Sequence, residues 1–64
     1  METIYFQPKG INPKYCEAGM IHESDPNHIW YLNEPCKQLL SEVKIIDKEK
    51  VRHNTKLGVI EVIN

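Results

Sequence analysis

A chain of 64 residues with 41% hydrophobic and 27% charged content reads as one globular domain. A domain this small buries only about 60% of the surface its unfolded form exposes, which leaves little room for an enclosed catalytic site, so no enzymatic activity and no cofactor are expected. A net charge of −1 argues against a general polyanion binder, and no apolar run approaches the roughly 20 residues of a membrane span.

The opening residues, Met1 to Tyr5, lack the basic start and apolar stretch of a secretory leader. Two cysteines are too few for a secreted disulfide scaffold. A reducing, cytoplasmic setting is therefore expected. Ile, Lys and Asn are abundant together, a composition common among small proteins of bacteriophages and mobile elements.

In chain order, residues 3–7 alternate apolar and polar and predict a short strand, which Pro8 stops. Residues 8–19 hold Pro8, Gly10, Pro13 and Gly19 and read as an irregular connection anchored by Ile11 and Tyr15. Residues 20–23 and 28–32 predict a hairpin around the turn formers Ser24, Asp25, Pro26 and Asn27. Residues 35–43 predict the one helix. Pro35 suits the first helical position, and Cys36, Leu39, Leu40 and Val43 recur at helical spacing.

Residues 44–47 then predict a strand, and residues 48–56 a polar loop that has room for a strand around Val51. Residues 57–63, apolar on both faces, predict a central strand covered on both sides. The expected fold is α+β, with a small, mostly antiparallel sheet of about five short strands and one short helix, in the order β-β-β-α-β-β. The alternative is an SH3-like small β-barrel with the helix as an insertion.

Motifs are sparse. Cys16, His22, His28 and Cys36 are residue types that bind zinc, but five residues separate the first pair and seven the second. Strong zinc signatures place cysteines two to four residues apart. The same residues read as small core thiols and solvated histidines. No phosphate-cradling glycine loop, nucleophile elbow or paired-histidine helix is present.

Charge, by contrast, is segregated. From Glu17 to Glu34 there are four acids (Glu17, Glu23, Asp25, Glu34) and no Lys or Arg. From Lys44 to Lys56 there are five bases against Asp47 and Glu49. Trp30 and Tyr31 fall on opposite faces of one strand, so one of them is expected to be an outward anchor. Glu23, Asp25, Trp30 and Tyr31 on the hairpin, with Lys48, Lys50 and Arg52 on the basic stretch, are the candidate contact residues.

These features predict a small protein-binding regulator or inhibitor of a larger partner. A zinc- or nucleic-acid-binding regulator is the alternative. Exposed sheet edges in so small a core also suggest a homodimer.

Overall fold

A computed structural model describes residues 2–63, so Met1 and Asn64, the ends of the expected 1–64 domain, fall outside the description. Seven antiparallel strands make up almost all of its regular secondary structure: β1 (Ile4–Gln7), β2 (Tyr15–His22), β3 (Asp25–Tyr31), β4 (Lys37–Leu39), β5 (Lys44–Ile46), β6 (Val51–Asn54) and β7 (Val59–Val62). Single 3-10 turns at Leu40–Glu42 and Lys48–Lys50 are the helical pieces among the described residues. The expected α+β order is therefore wrong, and so is the helix that its barrel alternative also contained.

The reason lies in residues 35–43. A helix of barely two turns is unstable without tertiary packing, because nucleation fixes several dihedrals for few hydrogen bonds. Here the backbone finds better partners: β4 joins the edge of β3, pairing His28 with Leu39, Ile29 with Gln38 and Trp30 with Lys37. The side chains that marked a helical face then scatter. Leu39 is 41% exposed, and Cys36, Leu40 and Val43 are only half-buried.

The sheet runs β4-β3-β2-β1-β5, with β7 added to β2 and β6 to β7. Pro8 ends β1, and Gly10, at φ 86°, turns the chain. The Asn12 side chain accepts from the Lys14 N–H at 3.0 Å, and its carbonyl accepts from the Tyr15 N–H, which starts β2. Gln7 Nε2 donates to the Pro13 and Tyr15 carbonyls, both at 3.0 Å, and ties this connection to β1.

Thus residues 15–19, expected to be irregular, are the first half of the longest strand. Gly19 misled because glycine marks turns as often as close approaches. Here it is buried, and a Cβ would lie 2.5 Å from the Trp30 carbonyl oxygen and 2.9 Å from Phe6 Cε1.

The hairpin turn also shifts. Glu23 and Ser24 connect His22 to Asp25, and Asp25, Pro26 and Asn27 belong to β3. Register changes between the Met20–Trp30 and His22–Asp25 pairs, so β3 carries the extra residues of a bulge there. Strand β7 is central in pairing, between β2 and β6, yet its residues are only half-buried, and Leu57, outside it, is 65% exposed. The core is small: Phe6 and Ile29 are fully buried, with Cys16 and Ile46 nearly so.

No helix among the described residues is long and apolar enough to cross a membrane.

Candidate binding groove

Strand β2 has two neighbours on one edge. The Val62 N–H donates to the Lys14 carbonyl at 2.8 Å, and the Leu32 N–H donates to the Ala18 carbonyl at 3.2 Å. Alternate residues of a strand bond to the same edge, so β7 and β3 follow one another along it. β7 covers the stretch at Tyr15 and Cys16, and β3 the stretch at Gly19 and Met20. Where they part, a groove of about 660 Å³ opens.

Its floor is Cys16, Glu17 and Ala18; one wall is Tyr31 to Glu34, and the other is His53 to Thr55 with Gly58 to Ile60. Thr3, Tyr5, Ile11 and Tyr15 complete the lining.

The local sequence holds these groups in place. The Tyr31 ring packs edge-on against buried Phe6, with centroids 5.2 Å apart at 77°. Its hydroxyl accepts from Gln38 Nε2 at 3.3 Å. The Tyr31 N–H donates to the Cys36 carbonyl at 2.9 Å, and the Cys36 N–H to the Glu34 carbonyl at 2.8 Å, which folds the β3–β4 connection tightly. Tyr5 Oη lies 3.2 Å from His53 Nε2, with the rings edge to face, and this links β1 to β6.

Two acids line the groove, Glu17 and Glu34, with no Lys or Arg beside them. Burial pushes the Glu17 carboxyl above the usual carboxylate range, and the Glu34 charge adds to the effect. Burial, then the Glu17 charge, raises the Cys16 thiol, which suits a packed thiol rather than a nucleophile.

A second cluster lies on β3 and its neighbours. Asp25 Oδ1 is 2.9 Å from His28 Nδ1, and Asp25 Oδ2 accepts from Trp30 Nε1 at 3.1 Å. Lys37 Nζ is 3.7 Å from the same carboxylate and 5.1 Å from the centroid of the Trp30 ring. The His22 ring meets Trp30 edge-on at 5.8 Å. The His28 hydrogen bond is the largest cause holding the Asp25 carboxyl below its usual range, and Trp30 and Lys37 act in the same direction.

The seven candidate contact residues therefore separate. Asp25 and Trp30 are bound to each other, Tyr31 faces the groove, and Glu23 stands exposed in the hairpin turn. Lys48 and Lys50 are exposed on a 3-10 turn. Arg52 is spent on Glu61, with nitrogen-to-oxygen distances of 3.1 and 3.3 Å.

The four residues considered for zinc do not assemble. Cys16 is buried in β2, Cys36 follows the β3–β4 connection, and both thiols are free. No three His, Cys, Asp or Glu side chains among the described residues form a metal-binding group. Glu17 and Glu34 were missing from the predicted contacts. Their signal was the stretch without Lys or Arg that they bound. No protein family, curated protein or solved structure matches the chain.

Proposed function

We propose that this chain is a non-catalytic protein-binding module that regulates or inhibits a larger partner, with the groove between β3 and β7 as its contact surface. The observation that carries this reading is the presence of Tyr15 and Tyr31 on the same face of one groove in so small a domain. Tyrosine is enriched at binding hot spots, because a rigid ring with a polar tip offers contact area for little ordering entropy. Tyr31 is already held by Phe6 and Gln38, so less freedom remains to be lost on binding.

Origin in a bacteriophage or mobile element fits the composition and size. Self-association is a second reading. It draws on the terminal position of β5 in the sheet and on Ile45 within it, which is 50% exposed.

The test is recovery of a partner from the source cells with wild-type chain and with Tyr15→Ala as baits, after both are shown to be folded. The reading expects a stoichiometric partner on the wild type and at least about tenfold less on the variant, as for a central hot spot. A partner retained equally by both would place the contact elsewhere.

A further inference from the structure

We propose that the groove receives the ammonium or guanidinium end of a Lys or Arg side chain from a basic segment of the partner, seated between the Glu17 and Glu34 carboxylates and the rings of Tyr15 and Tyr31. This rests on the groove being the contact surface and adds what it recognises.

Glu17 stands apart from the other carboxylates of the chain that are not fully exposed. Among the described residues, the acids that are not fully exposed are Glu17, Asp25 and Glu61. Asp25 has His28, Trp30 and Lys37 around it. Glu61 has Arg52 at 3.1 Å. Both are supplied with donors from within the chain.

Glu17 is the exception. No hydrogen bond or ion pair among the described residues reaches its carboxylate, and the charge that acts on it is that of another acid, Glu34. A partly desolvated carboxylate beside a like charge is unfavourable in the free protein. A cation entering the groove would relieve it.

The rest of the lining agrees with that occupant. Tyr15 and Tyr31 line the groove from the face of the sheet that also carries Glu17. Aromatic rings attract cations through their electron-rich faces, more strongly where water is displaced. An anionic or plain apolar occupant would leave the two carboxylates unpaired or bury them further. The groove opens on the surface, so a side chain on an extended segment can enter without unfolding it.

The experiment is a titration of nitrogen-15-labelled chain followed by two-dimensional NMR. The probes are three capped tripeptides at matched ionic strength: Gly-Arg-Gly, Gly-Lys-Gly and Gly-citrulline-Gly, the last a neutral near-isostere of the first. The proposal expects saturable shifts from the Arg and Lys peptides, centred on the amides of Glu17, Ala18, Leu32 to Glu34 and Val59. It expects citrulline to bind at least about fivefold more weakly.

Glu17→Gln should weaken the Arg peptide at least about fivefold, while Glu42→Gln, exposed on the 3-10 turn after β4, should leave it unchanged. Equal binding of citrulline and Arg, indifference to Glu17→Gln, or shifts spread over Glu42, Asp47 and Glu49 would each overturn it.

The two levels fail separately. Loss of the partner on Tyr15→Ala with no charge preference among the peptides would leave the groove as contact surface and remove the cation. Arg selectivity with partner retention on Tyr15→Ala would do the reverse.

Discussion

The indole N–H of Trp30 donates to Asp25 Oδ2 at 3.1 Å, across the bulge that displaces the register of β3. The other oxygen of the same carboxylate holds His28 at 2.9 Å. One short acidic side chain thus bridges residues on both sides of an irregularity that would otherwise leave the strand poorly specified. Lys37 then lies over the ring from β4, so the bridge also fixes the outer strand.

Asp25→Ala is therefore expected to lower the melting temperature and to free the Trp30 side chain. Trp30 is the sole tryptophan, so its fluorescence reports this site alone. The emission of the folded variant should shift toward that of a solvated indole. Unchanged emission and melting would show that the bulge stands without the carboxylate.

The same residue sets an acid limit. The Asp25 carboxyl lies below its ordinary value, first through the His28 hydrogen bond, so the folded state favours the ionised form. That stability is complete above the unfolded value, about 3.9, and is lost as pH falls through the lower folded value. Melting temperature should therefore drop below about pH 4 in the wild type and drop less steeply in Asp25→Ala. Parallel profiles for the two proteins would count against the linkage.

Two glycines separate packing from backbone strain. Gly19→Ala places a methyl against the Trp30 carbonyl and the Phe6 ring, and is expected to destabilise by about 1–3 kcal/mol, as overpacking does. Gly58→Ala meets nothing within 4 Å, but its φ of +67° lies in the left-handed region, so about 1 kcal/mol is expected there. Asn at position 58 should recover part of that loss, whereas no side chain rescues position 19. Denaturant unfolding of the four proteins decides it.

Core and former helix-face positions should differ sharply. Phe6 is fully buried, and Phe6→Ala is expected to cost about 3–5 kcal/mol, near the whole stability of so small a domain. Leu39 sits 41% exposed on β4, and Leu39→Ala should cost well under half as much. A comparable loss at Leu39 would mean that it is packed as a helix face would require.

This contrast shows why the sequence was legible in some places and not in others. β1 follows from local alternation and from Pro8, signals that act within a few residues, and β5 falls inside the strand expected at residues 44–47. Alternation also separated Trp30 from Tyr31: the first pairs with Met20 and the second with Gly19, on opposite faces. The spacing of Cys36, Leu39, Leu40 and Val43 suits a helix, but the competing β3–β4 ladder depends on an edge supplied by residues 28–30, which no window around 35–43 contains. Gly19 is similar, since its reason is the Phe6 ring and the Trp30 carbonyl rather than a turn. The groove was least legible, because it forms where β7 and β3, distant in sequence, part along one edge.

Glu17 offers the last prediction, which sets stability against recognition. Its carboxyl is raised by burial and then by Glu34, so the folded state disfavours the charge. The penalty is absent where both states are protonated, grows as pH rises past the unfolded value, and is complete above the raised folded value. Glu17→Gln removes it, so the variant should melt higher than the wild type at neutral pH and at the same temperature in acid. The same change should weaken the Arg peptide. A residue that destabilises the free domain while strengthening its complex is acting for the partner. If Glu17→Gln leaves neutral-pH melting unchanged or lowers it, the carboxylate is not strained in the free protein, and the main reason for placing a cation beside it disappears.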